Sequence, residues 1–161
     1  MNTLRYALNY GIGTALVGIL GLYFQQFIEP ESWMSSLLSI IVSLAMVFII
    51  YTGVLNYFKT SGAPMTFGAI FKTALIITLI GAFVFGAYTF VYYEYLAPGA
   101  KEKYIALAME RMEAQGIEQA ENAIEMMRSA FGVMAFAGSV INVVFVGLVT
   151  GIIVGLWKKE N

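Results

Sequence analysis

Cysteine, histidine and aspartate are all absent from this chain of 161 residues. Without thiolate or imidazole, the usual transition-metal ligands are missing. Haem cannot be held through His or Cys for the same reason. Ser-His-Asp and Cys-His catalysis lack their base. No disulfide can form, so cysteine usage says nothing about redox compartment. The phosphate-cradling pattern G-x-x-x-x-G-K-[ST] does not occur. Charge is scarce too: 12% of residues are charged and the net charge is −1, which leaves no polycation for nucleic acid to bind. Ten glutamates, a few lysines and the tyrosines are all that remain for acid–base work. No cofactor, no metal and no catalytic residue is expected.

Apolar residues are what the chain has in excess, at 60%. Soluble domains hold about 45–50% apolar and about 25% charged residues. A water-soluble fold of this composition would expose too much apolar surface, so the expectation is an integral membrane protein with the lipid bilayer as its first partner.

Charges divide the chain into four apolar stretches, bracketed by Arg5 and Glu29, Glu31 and Lys59, Lys72 and Glu94, and Arg128 and Lys158. Each exceeds the roughly 20 residues that a helix needs to cross about 30 Å of hydrocarbon. The three prolines, Pro30, Pro64 and Pro98, all fall between the stretches, where a helix must end. Trp33, Tyr57, Tyr92, Tyr93, Tyr95 and Trp157 sit at stretch ends, where amphipathic rings favour the headgroup level. The first stretch is too long for a signal-peptide core and lacks a small-residue cleavage site, so it reads as a retained span. The predicted fold is all-α. A single membrane domain, 1–161, has spans at about 6–28, 32–57, 68–95 and 129–157 and an extramembrane helical hairpin at about 97–128.

Lys and Arg set the expected orientation. Arg5, Lys59, Lys72, Lys158 and Lys159 favour both termini and the middle connection in the cytoplasm, while the Glu29-Pro30-Glu31 turn has no base. The third connection also carries Lys101, Lys103, Arg111 and Arg128, which pull the other way.

That third connection breaks the composition. It is rich in Ala, Glu, Met, Lys and Gln, all good helix formers. Pro98 and Gly99 open a first helix over about 100–115, and Gly116 stands where a left-handed cap would close it. The second helix starts at about Ile117. Ile117, Ala120, Ile124, Met127 and Phe131 recur at spacings of three and four, which makes one apolar seam. Ile105, Ala108, Met109 and Met112 supply a matching stripe. Nothing interrupts the helical pattern into the fourth span, so a rod of about 40 residues and about 60 Å is expected. The seam closes the hairpin or docks another protein.

Four further features stand out. Gly147, Gly151 and Gly155 form a small-residue row on the fourth span, suited to close helix packing within the chain or between copies. Gly11, Gly18 and Gly21 give the first span a small-residue surface, a candidate internal partner for it. Asn142 lies near mid-span, where an amide in lipid needs a partner, with Ser139, Thr78, Ser43 and Thr14 as company. No ionisable group lies at mid-span, which weighs against proton- or ion-coupled transport. Lys72 and Glu94, at opposite ends of the third span, are expected to reach water. Glu118, Glu121 and Glu125 read as a solvated face rather than a cation site.

The ordered pieces resemble a known family. They are the loop Asn56-Tyr57-Phe58-Lys59-Thr60-Ser61-Gly62-Ala63-Pro64-Met65, the stretch Thr66-Phe67-Gly68 to Phe71-Lys72, and the exit Tyr92-Tyr93-Glu94-Tyr95-Leu96-Ala97-Pro98 ahead of a Glu/Met-rich helix. The chain is similar over nearly its whole length to small four-span bacterial membrane proteins, domain of unknown function four-one-nine-nine. That resemblance implies an inner-membrane location and brings no activity or catalytic residue. Ala97 departs from an acidic residue expected in relatives, so no role is carried to that position. The expected function is a non-enzymatic accessory or self-associating subunit, in a homo-oligomer or a larger membrane complex. A small oligomeric channel or transporter is the alternative.

Overall fold

A computed structural model describes residues 3–116 and 120–159. Among the described residues the fold is all-helical: α1 (Thr3–Gln25), α2 (Trp33–Ser61), α3 (Phe67–Val91), a π-helical turn (Tyr92–Leu96), α4 (Pro98–Ala114) and α5 (Ala120–Lys159). Four helical segments, Leu4–Gln25, Trp33–Ser61, Phe67–Leu96 and Glu121–Lys158, are long and apolar enough to cross a membrane.

Local chemistry sets the ends. Ser32 caps α2 by accepting from the Ser35 N–H at 3.3 Å. Gly62 closes the same helix at φ +64°, donating its N–H to the Phe58 carbonyl, and Pro64 follows. Pro98 sits in the first turn of α4, where its missing N–H costs nothing. Gly116 ends the hairpin's first helix at φ +69°. The expected rod runs as the 40 residues of α5.

The chain forms two compact units, Met1–Phe85 with Ser139–Asn161, and Gly86–Gly138. The hairpin's unit thus extends past the expected 97–128 to take in the end of α3, the π-helical turn and part of α5, because Tyr93 of that turn packs with Tyr104 and Phe131.

In the first unit, Ile50, Val54, Phe58, Ile70, Ala74, Ile77 and Val154 form the main core. Met46, Ala82 and Val143 form a smaller cluster. The surface inverts the soluble pattern. Thr14 and Thr78 are fully buried, while Leu44, Phe48, Ile141 and Phe145 are 63–69% exposed. The buried threonines spend their hydroxyls on their own helices: Thr14 donates to the Tyr10 carbonyl and Thr78 to that of Ala74. Apolar side chains outside and self-satisfied hydroxyls inside suit hydrocarbon as the surrounding solvent.

In the second unit, Tyr92, Tyr93, Ile105 and Ile124 are buried. Tyr93 meets Tyr92, Tyr104 and Phe131 edge-on, with centroids 5.1–5.9 Å apart. Arg128 reaches Glu102 at 3.0 Å, holding α5 against α4 on an exposed face. Exposed pairs of this kind contribute little, so the aromatic cluster is the main fastening.

Candidate functional site

The glycine row faces α3 of the same chain. Gly147, Gly151 and Gly155 are all buried. A Cβ on Gly147 would collide with the hydroxyl, methyl and Cβ of Thr78. On Gly151 it would lie 3.2 Å from Ala74 Cβ, and on Gly155 2.6 Å from the Phe67 ring. The side chains Phe67, Phe71, Ala74 and Thr78, spaced four, three and four, fill the groove the glycines leave. The row is therefore already occupied and offers no open face to a second chain. Its internal partner is also not α1, as the glycines there had suggested. Gly11 crosses α3, where a Cβ on it would lie 2.7 Å from Ile80 Cγ2, and a Cβ on Gly81 would lie 2.9 Å from the Gly11 carbonyl oxygen. Gly18 meets Met46 and Phe85, and Gly21 meets Val42.

Asn142 departs further from expectation. Its side chain is exposed, and among the described residues its amide has no hydrogen-bond partner. The expected company is spent elsewhere: besides Thr14 and Thr78, Ser43 donates to the Ser39 carbonyl at 2.8 Å. Asn142 instead borders a groove of about 140 Å³ with Gly18, Gln25, Ser39, Ser43 and Phe85. Gln25 is fastened at one end, donating to Ser35 Oγ at 3.2 Å. The groove has room for more than one water. No ionisable side chain lines it.

The second unit holds a junction that sequence reasoning missed. Glu94 does not turn to open water. Both carboxylate oxygens accept from Lys101 Nζ at 2.9 Å, and Oε1 also accepts the Gly132 N–H at 2.9 Å. The carboxylate approaches the α5 backbone because residue 132 has no side chain: a Cβ there would lie 2.7 Å from Glu94 Cγ and Oε1. A glycine inside a helical pattern, with Glu94 and Lys101 seven residues apart, was the available signal.

Of the hairpin seam, Ile117 lies outside the described residues, as does the side chain of Ala120. Ile124 is buried and Met127 half-buried. On α4 Ile105 is buried, and Ala108, Met109 and Met112 are half-buried. Glu118 lies outside the described residues; Glu121 and Glu125 are exposed. Among the described residues no acidic cluster is placed to hold a metal ion.

No curated protein and no solved structure matches the chain. A family match spans residues 5–160, taking in the four apolar helices, the α4–α5 hairpin, the glycine row and Asn142. On that extent the chain belongs to the family described as Protein of unknown function (DUF4199).

Proposed function

We propose that this chain is a non-enzymatic integral membrane protein of the bacterial inner membrane, with both termini cytoplasmic, that associates with a second copy of itself. The contact surface is the lipid-facing side of α5 that carries Asn142, not the glycine row. One observation carries this reading: the Asn142 amide stands without a partner about 20 Å from either flank of its span, at 1.5 Å per residue. A hydrogen bond between helices within the membrane contributes about 0.6–2 kcal/mol. A second Asn142 satisfies the amide by symmetry, because each carboxamide is both donor and acceptor. Ile141 and Phe145 beside it, 69% and 66% exposed, supply apolar contact. The non-enzymatic part rests on the missing His, Cys and Asp. The groove beside Asn142 favours a second reading, an oligomeric channel with a polar inlet. An accessory role in a larger complex would use the same amide against a foreign helix.

The cysteine-free chain makes the test clean. Phe145→Cys and Ile141→Cys, each with Asn142 intact, are expected to form oxidised dimers in the bilayer, whereas Leu8→Cys on α1 is not. Asn142→Leu is expected to weaken the dimer by about 3- to 30-fold, the equivalent of about 0.6–2 kcal/mol. Solute flux lost in Asn142→Leu with the dimer unchanged would favour the channel. A monomer throughout, with no cross-link at 141 or 145, contradicts self-association.

A further inference from the structure

At the other end of α1 the first unit carries a polar recess that the self-association reading does not use. Arg5, Tyr6, Asn9 and Tyr10 line a cavity of about 440 Å³. Arg5 and Asn9 are exposed. Among the described residues, Arg5 has no carboxylate partner and the Asn9 amide has no hydrogen bond. The two tyrosines are fixed. Tyr6 Oη shares a hydrogen bond with Thr60 Oγ1 at 3.0 Å, and Tyr10 Oη accepts from Asn56 Nδ2 at 2.8 Å. Their rings stack with centroids 5.8 Å apart. Tyr57 closes edge-on against Tyr6 at 6.1 Å.

These contacts tie the start of α1 to the last turns of α2, so the recess lies where two spans reach the membrane surface. Lys59 follows on α2, and the described carboxylates of this unit, Glu29 and Glu31, sit at the opposite end of α1. A guanidinium offers several donors in a planar fork, and Asn9 one turn along the same face adds an amide donor. Rigid tyrosines form the wall. We infer that this recess binds a phosphate group, and that its source is the phosphodiester of an anionic phospholipid. Basic side chains at the end of a span attract anionic headgroups at the membrane surface. Glycerol and acyl chains would continue along the exposed Leu8 and Ile12 of α1.

The test uses the full chain in nanodiscs of phosphatidylcholine with graded phosphatidylglycerol, reading bound lipid by native mass spectrometry. Arg5→Gln is expected to weaken phosphatidylglycerol retention roughly fivefold to tenfold. Asn9→Leu leaves the charge unchanged and is expected to weaken it about threefold through the lost amide. Lys72→Gln removes an exposed charge outside the recess and should have the smallest effect. Both recess residues are exposed, so folding is spared, and unfolding midpoints verify this. Inorganic phosphate or glycerol phosphate that fails to displace the lipid supports the phospholipid as source. Equal competition by the soluble anions assigns the recess to free phosphate instead and overturns the lipid assignment. Equal losses in Arg5→Gln and Lys72→Gln, with Asn9→Leu unchanged, would mean diffuse surface attraction and overturn the site.

Discussion

Gly147→Leu is expected to lower the unfolding midpoint in detergent by about 10 °C, equivalent to about 3 kcal/mol. The reason is local. Thr78 fills the space over Gly147, is fully buried, and is held by its own hydrogen bond to Ala74. It has no way to swing aside. A leucine must therefore push α3 and α5 apart along the whole glycine row. Gly147→Ala should cost less, about 1–3 kcal/mol. Thr78→Ala should recover part of that loss, since the colliding atoms include the Thr78 hydroxyl and methyl. Gly138→Ala is the contrast. Nothing lies within 4 Å of its Cβ position, so alanine there should be neutral or stabilise by about 0.5–1 kcal/mol through helix propensity. If Gly147→Leu left the midpoint untouched while abolishing self-association, the row would face a second chain after all.

The second large effect concerns the hairpin. Replacing Glu94 with alanine removes the carboxylate that both Lys101 and the Gly132 N–H address. Lys101 is 14% exposed, so its ammonium loses its partner in a mostly buried place. Trypsin cleavage at Lys103 and Arg111 is expected to accelerate on the order of tenfold as the hairpin opens more often. The exchanged pair, Glu94→Lys with Lys101→Glu, keeps both charges but puts a donor against the Gly132 N–H. It should not restore protection. Full rescue by the exchange would reduce the junction to an ion pair and deny the backbone contact a role.

The spans were legible because two independent signals coincide: charges bracket the apolar stretches, and Pro30, Pro64 and Pro98 fall only between them. The hairpin was legible from its helix formers and from Gly116, which takes the left-handed φ that its position suggested. The partner of the glycine row was not legible. A small-residue face says that a backbone comes close but not whose, and α1 carries glycines as tempting as the residues of α3. The direction in which Asn142 points was not legible for a related reason. A span that is apolar all round shows no periodicity to separate its lipid face from its protein face, so depth was readable and direction was not. The Glu94–Gly132 contact joins residues 38 apart in the chain. The π-helical turn at Tyr92–Leu96 that carries Glu94 leaves no pattern of its own in the sequence.

The exposed apolar faces of α1, α2, α3 and the apolar part of α5 require hydrocarbon around them. Sedimentation of the full chain with and without detergent, on membranes first washed in alkaline carbonate, tests this directly. The protein should stay with the washed membranes, enter solution only with detergent, and aggregate when detergent is withdrawn. Release by carbonate, followed by a single sharp boundary in plain buffer, would contradict it.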